Sequence, residues 1–345
     1  MKILSIETSC DETGLSLISI EGDLSSLKIN ILEELVATQI EVHREYGGVV
    51  PGLARREHEK NLPILFNKMK PTKLNPDLLS VTVGPGLDPC LWSGINYTQK
   101  IHEEYFSDIP LVGVNHLEGH LFSFVLDDEF KIKENKYSVK NIEEYFPAIG
   151  LVVSGGHTII IHMRSLTDWE ILGQTRDDAV GEAFDKVARL IDLPYPGGPE
   201  IEKLSKDYNG EKLNFPEPMI HSKDYDFSYS GLKTHILYHL RDNPDENKSA
   251  VAYSFQEAAF APLVKKCKKA VREYDANSIL LSGGVAANNT LKNKLKHLSK
   301  KLNISFKSAP IKYNTDNGTI IAISSYINKL SDKKYKLKAQ PNLGL

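Results

Sequence analysis

Nothing in this chain of 345 residues approaches the roughly 18 consecutive apolar residues that a membrane span needs. Its opening, MKILSIETSCDETG, passes from a short apolar run straight into a polar turn. It has no basic segment followed by an apolar one, so no signal peptide is expected. Cysteine is scarce: Cys10, Cys90 and Cys267 are odd in number and far apart. That argues against a disulfide framework and a cysteine-based zinc site, and for a reducing, cytoplasmic compartment. An excess of one charge is also lacking. Lys and Arg number 42 against 45 Asp and Glu, for a net charge of −3 and a pI near 6.4. Such a surface excludes a basic nucleic-acid coat and leaves any RNA contact to a local patch or a partner protein. Two common nucleotide-binding signatures are missing as well, the GxxxxGK[ST] loop and the strand–GxGxxG–helix unit.

What is present reads as a globular chain, 41% hydrophobic and 25% charged. Its length exceeds what one core usually supports, so two lobes are expected. KILSIETSCDETGLSLISI is a strand, a polar turn and a strand, and AIGLVVSGGHTIIIHM repeats that plan about 145 residues later. SILLSGGVAANNTLKNKL adds a strand, a Gly-Gly turn and the start of a helix. A hairpin recurring at half-chain spacing suggests duplicated α/β lobes, although two unrelated hairpins in one large α/β protein would look the same. HEKNLPILFNKM, DDAVGEAFDKVARLI and SFQEAAFAPLVKKCKKAV carry apolar residues at helical spacing. The stretch 127–145 is charged and aperiodic and reads as a solvated excursion. The lysine-rich segment KLSDKKYKLKAQPNLGL reads as a surface strand or a frayed end. Lysines in KKCKKAVR and LKNKLKHLSKKL are either an RNA patch or simply solvated helix faces.

Five blocks carry polar groups at spacings that chemistry can use. His116 and His120 lie at i and i+4, one above the other on a helix, and can chelate a divalent metal or stand as two surface histidines. A zinc-protease motif needs Glu directly after the first His, and here that residue is Leu117. Val152, Val153, Ser154, Gly155 and Gly156 close the second hairpin, where glycines let main-chain N–H groups approach a ligand. Ser9, Asp11 and Glu12 occupy the matching turn of the first hairpin. Glu182 and Asp185 share a helical face, and a carboxylate there can accept from a ribose hydroxyl or simply face water. The turn Tyr195–Pro199, with Gly198 in it, follows. The turn after Ser282 opens a helix near Asn288, a usual ligand position in an open α/β sheet. Asp316, in Asn314–Gly318, is either a helix N-cap or a third metal ligand.

Taken in order, IETSCDET, YGGVVPGLARREH, GPGL, NHLEGH, LVVSGGHT, GEAFDK, YPGGP, FSYSGLK, GGVAANNTL and TDNG resemble one family over nearly the whole chain. It is the TsaD family, the tRNA adenosine threonylcarbamoyltransferases, and the likeness is closer to its bacterial and mitochondrial branch. The resemblance implies an α/β fold of the duplicated actin/Hsp70/sugar-kinase (ribonuclease H-like) type, with a ligand cleft between two lobes. The lobes are expected at 1–125 plus roughly 322–345, and at 126–321. It further implies one divalent metal ion, iron or zinc, on His116, His120 and Asp316. Threonylcarbamoyl-AMP is expected on Val152, Val153, Ser154, Gly155, Gly156, Asp185, Gly198 and Asn288, with Ser9, Asp11 and Glu12 at the same cleft.

The activity so implied moves a threonylcarbamoyl group from the adenylate to N6 of the adenosine beside the anticodon, position 37, in tRNAs reading codons that begin with adenine. A TsaB-like paralogue and a TsaE-like ATPase are the implied partners. An ATPase module of the actin/Hsp70 type and a metalloprotease are the other classes such motifs could serve. The chain offers no evident nucleophile, since Cys10 has no base at hand in the sequence, so direct attack by the amine is expected. It departs from the family at Asp88–Trp92, which runs towards the family's partner-docking helices, and in the length of the 127–145 excursion.

Overall fold

Isoleucines and leucines with serines among them recur from Ile3 to Ile20, and these runs build the first sheet. The computed structural model describes residues 1–345. In chain order it begins with β1 (Lys2–Glu7), β2 (Glu12–Gly22) and β3 (Leu27–Thr38), an antiparallel meander. The helices α1 (Ile40–Arg44) and α2 (Pro51–Lys68) follow, then β4 (Leu78–Gly84), α3 (Asp88–Tyr105), β5 (Leu111–Asn115) and α4 (His116–Phe122). β4 joins β1 in parallel and β5 joins β4 in parallel. Two short strands, β6 (Lys131–Lys133) and β7 (Lys136–Val139), extend the far edge. The strand order is β5-β4-β1-β2-β3-β7-β6.

The second sheet opens with β8 (Ala148–Val153), β9 (Thr158–Met163) and β10 (Trp169–Gln174), again an antiparallel meander. Helices α5 (Val180–Leu190), α6 (Gly197–Lys206), α7 (Ser230–Asp242) and α8 (Lys248–Glu273) come next. Then come β11 (Ser278–Ser282), α9 (Asn289–Leu302) and β12 (Ser305–Ser308). β11 pairs with β8 in parallel and β12 with β11 in parallel, giving the order β10-β9-β8-β11-β12. That is the order and sense of β3-β2-β1-β4-β5, so the duplication expected from the two hairpins is present strand for strand. Phe184 of α5 sits against Phe255 and Phe260 of α8 at ring-centroid distances of 4.7 and 5.2 Å. Burying such a ring is worth about 2–3 kcal/mol, and it fixes which face α5 turns outward.

The chain closes with α10 (Ile311–Asn314) and α11 (Gly318–Leu330). α11 is buried almost all round and packs on β1, β2, β5 and α4. Ser5 Oγ donates to the carbonyl of Gly318 at 2.6 Å, and the Ser16 and Thr319 hydroxyls meet at 2.8 Å. No helix is long and apolar enough to cross a membrane.

The two compact units are Met1–Glu144 with Ala309–Leu345, and Tyr145–Ser308. These limits correct the boundaries expected from sequence. Residues 126–144 belong to the first unit because β7 extends its sheet through Leu27 opposite Val139, and residues 309–321 belong there because they lead into α11. The 127–145 stretch is not a solvated loop either, since Phe130, Tyr137, Val139 and Ile142 are buried. Nor does the lysine-rich terminal segment fray. Tyr335 bridges Gly113, Gln340 N–H donates to the Val83 carbonyl at 2.7 Å, and Asn115 donates to the Gly344 carbonyl at 2.7 Å.

Candidate active site

β5 ends at Asn115, whose side-chain oxygen accepts from the Leu117 N–H at 2.8 Å and so starts α4. The helix puts His116 and His120 one turn apart on one face, with ring centroids 4.6 Å apart, and both rings are buried. The third member comes from the turn before α11. There the capping is done by Asn317, which accepts from the Ile320 N–H at 3.1 Å. Asp316 is thereby left to face the histidines, and its Oδ1 lies 3.1 Å from His120 Nε2 and 3.6 Å from His116 Nε2. One ligand atom from each of the three residues falls within 4.8 Å of the other two.

Behind His116 stands Glu7, the last residue of β1, which the sequence reading passed over. Its Oε2 is 3.3 Å from His116 Nδ1, and the Ser9 hydroxyl is 3.2 Å from the same nitrogen. Glu7 also accepts from the Ser9 N–H and the Thr82 hydroxyl, and it is wholly buried. Burial resists a charge there, yet the facing His116 ring and its hydrogen bond hold the carboxyl below its ordinary value. Burial likewise resists a proton on His116, but Asp316 and Glu7 outweigh it and push that ring up to about 9. The signal for Glu7 in the sequence was a lone acid ending an otherwise apolar strand.

The residues fit a divalent cation. Both Nε2 atoms converge on one carboxylate oxygen, and the other ring nitrogen of His116 is held by a carboxylate, the usual outer support of a metal-bound imidazole. His120 Nδ1 is buried without a hydrogen-bond partner in the chain. Two imidazoles and one carboxylate leave positions open for oxygen ligands and suit zinc or iron.

Ser9, Asp11 and Glu12 behave unequally. Ser9 touches His116, and Asp11 gives its carbonyl to Gln39 N–H at 3.0 Å. Burial, then Asp11 and Asp316, push the Glu12 carboxyl well above the carboxylate range. Between them, burial and the carboxyls of Asp11, Asp316 and Glu12 push the Cys10 thiol well above its ordinary value, which disfavours the thiolate a nucleophile needs. Burial drives Cys90, with a contribution from Asp11, and Cys267 up to about 12.

The second unit gathers the remaining positions. Val152 and Val153 are buried at the end of β8, and Ser154, Gly155 and Gly156 form the turn. The Ser154 hydroxyl accepts from His157 N–H at 3.1 Å, which shapes the turn. The first turn of α5 presses on it: a Cβ on Gly181 would lie 2.6 Å from the Ser154 carbonyl oxygen. Gly283, at φ +88°, lies against the Val153 carbonyl, where a Cβ would be 2.4 Å from the oxygen. Gly155, Gly156 and Gly198 face open space, with nothing within 4 Å of a built Cβ. Asp185 accepts the Gly197 N–H at 2.7 Å, tying α5 to the start of α6, while its helical neighbour Glu182 pairs with Lys186 at 2.8 Å. Asn288 is half committed. Its oxygen caps α9 through Thr290 and Leu291, and its amide donates to Gln256 at 2.9 Å. Lys266, in one of the two lysine clusters, is buried beside Ser222 and Phe227 and so is lost to any surface patch.

Two α/β units with one strand order, glycine turns at the strand ends of one and a His–His–Asp group in the other, define a duplicated chain of the actin/Hsp70/sugar-kinase type. Solved structures share that fold. Full-length HypF in its phosphate- and nucleotide-bound form matches 98% of this chain and 47% of its own, at a TM-score of 0.57 and 12% identity. The activator of the 2-hydroxyisocaproyl-CoA dehydratase from Clostridium difficile with bound ADPNP matches 97% and 98%, at 0.51 and 13%. At such identities the likeness is one of fold alone. Sequence goes further. The model of the family TsaD, tRNA N6-adenosine threonylcarbamoyltransferase, matches residues 30–323. A protein of that name from Thermosipho africanus is 43% identical, with 99% of each chain covered. One from Clostridioides difficile is 40% identical, with 99% of this chain and 97% of its own covered. The chain belongs to the TsaD family.

Proposed function

We propose that this chain transfers the threonylcarbamoyl group of threonylcarbamoyl-AMP to N6 of the adenosine at position 37 of tRNAs reading codons that begin with adenine. The observation that carries this is the meeting of His116, His120 and Asp316, three side chains of the family's motifs drawn from segments about 200 residues apart in sequence. A divalent cation bound there, iron or zinc, supplies Lewis-acid charge for a phosphate or carbonyl oxygen of the donor. Glu7 and Ser9 orient His116 so that Nε2 is offered to the cation. Val152, Val153, Ser154, Gly155 and Gly156 give the adenylate a turn its oxygens can approach closely. Asp185, Gly198 and the uncommitted amide hydrogen of Asn288 add polar contacts to the nucleoside.

The reaction is a single displacement. The adenosine N6 attacks the carbamoyl carbon, a C–N bond forms, the C–O bond to phosphate breaks, AMP leaves with that electron pair, and N6 gives up a proton. AMP is a competent leaving group, so positioning and charge stabilisation carry most of the acceleration. The protonated state of all three thiols supports transfer without an acyl-enzyme. A TsaB-like paralogue and a TsaE-like ATPase are the partners this reading supplies.

The test is a single-turnover reaction with purified chain, the two partners, threonylcarbamoyl-AMP and unmodified tRNA, followed by nucleoside mass spectrometry. Threonylcarbamoyladenosine is expected, with no protein-bound acyl group at any time. AMP release without tRNA modification, or an acylated cysteine, would contradict the reading.

A further inference from the structure

We infer that Glu118 is a positioning residue for the metal group, and that the segment after α11 holds the two histidines in register through it. The inference rests on the reading of His116, His120 and Asp316 as metal ligands. On a helix of 3.6 residues per turn Glu118 projects roughly 200° away from each histidine, so it belongs to the back of α4 and not to the ligand face. It is nonetheless wholly buried, and every side chain that hydrogen-bonds to it lies after residue 323. Oε1 accepts from Lys333 and from Tyr335, the latter at 2.6 Å, and Oε2 accepts from Asn328 at 2.7 Å and Ser324 at 3.4 Å.

Two features make this anchor consequential. α4 has only seven residues with Gly119 in its middle, too short and too flexible to hold itself. Gly119 also lets α11 come close, since a Cβ there would meet Ile321 Cδ1 at 3.1 Å and Ile320 Cγ1 at 3.2 Å. α11 therefore touches α4 twice. At its start the Asp316–Asn317 turn reaches His120, and along its length Ser324 and Asn328 grip Glu118. Glu118 thus sets how α4 lies on α11, which is the spacing between the two imidazoles and their carboxylate partner. Lys333 and Tyr335 complete the grip from the segment that follows.

The test measures cobalt(II) binding by visible absorption and chelator competition, beside thermal melting of the metal-free protein. Glu118→Ala is expected to weaken cobalt affinity by about 10- to 100-fold and to alter the visible band. Glu118→Gln, which keeps an acceptor oxygen for Lys333 and Tyr335 but turns an amide nitrogen to Asn328 and Ser324, should recover part of that loss. Tyr335→Phe removes one hydrogen bond and should cost about 2- to 10-fold with a near-normal melt. It decides the matter if Glu118→Ala does not fold. Wild-type affinity in a folded Glu118→Ala or Tyr335→Phe protein would overturn the inference. A wild-type chain that binds no cobalt, indistinguishable from His120→Ala, would instead overturn the metal reading beneath it.

Discussion

The turn between β1 and β2 and the turn between β8 and β9 occupy the same place in two copies of one topology, yet they are lined by different chemistry. The first is acidic and filled: Glu7 is buried behind it, and Ser9, Asp11 and Glu12 crowd it. Its polar atoms are spent on protein partners, chiefly His116. The second, Ser154-Gly155-Gly156-His157, has two glycines at its tip that open outward. A carboxylate-rich turn suits the support of a cation's ligands, and a glycine turn with exposed N–H groups suits an anion. The shared fold sets where the turns lie, and the turn residues set which charge each would suit.

That contrast can be broken from either side. The largest effect is expected from His120→Ala, which should lower divalent-metal affinity at least about 100-fold, since outer supports alone are worth about 10- to 100-fold. Binding of a non-hydrolysable acyl-adenylate analogue to the metal-free protein should be unchanged, as followed by calorimetry. Gly181→Val should give the converse. Its Cβ would press on the Ser154 carbonyl, straining the second turn by about 1–3 kcal/mol and weakening the analogue about 10-fold or more, with metal content unaltered. Asn317→Ala is a finer probe. Loss of the α11 cap should cost about 1 kcal/mol in denaturant unfolding and leave the analogue affinity as it was. The smallest effect is a pH profile. Burial holds Cys90 and Cys267 as thiols up to about 12, so between pH 7 and 9 iodoacetamide should label neither in the folded protein. Their thiolate fractions rise only as the pH approaches that value.

Much of this was legible in the sequence because it rests on short-range pattern. The HxxxH spacing sets two imidazoles on one helical face whatever surrounds them. The two hairpins declared themselves by β-branched runs around polar turns. The sequence left Asp316 open as cap or ligand; in the structure the capping role falls to its neighbour Asn317, and the Asp316 carboxylate lies beside the two histidines. What stayed hidden depends on partners distant along the chain. Glu7 has no local motif, and its role appears only when β1 and β5 lie in one sheet two strands apart. The lobe limits and the 127–145 stretch were misread because β7 pairs with a strand about 110 residues earlier and its charged exterior masks buried Tyr137 and Val139. Glu118 drew no reading of its own between the two histidines, and only the fold reveals that it faces away from them towards Lys333 and Tyr335.

The account turns on one cation, held by two imidazoles and a carboxylate, on which group transfer depends. The most direct measurement strips the purified chain with a chelator and restores iron or zinc stepwise while following tRNA modification from threonylcarbamoyl-AMP. Transfer should be lost on stripping and return in proportion to metal up to one equivalent per chain, and in His120→Ala it should not return. Full transfer by the stripped protein, or restoration of His120→Ala by the same single equivalent, would contradict it.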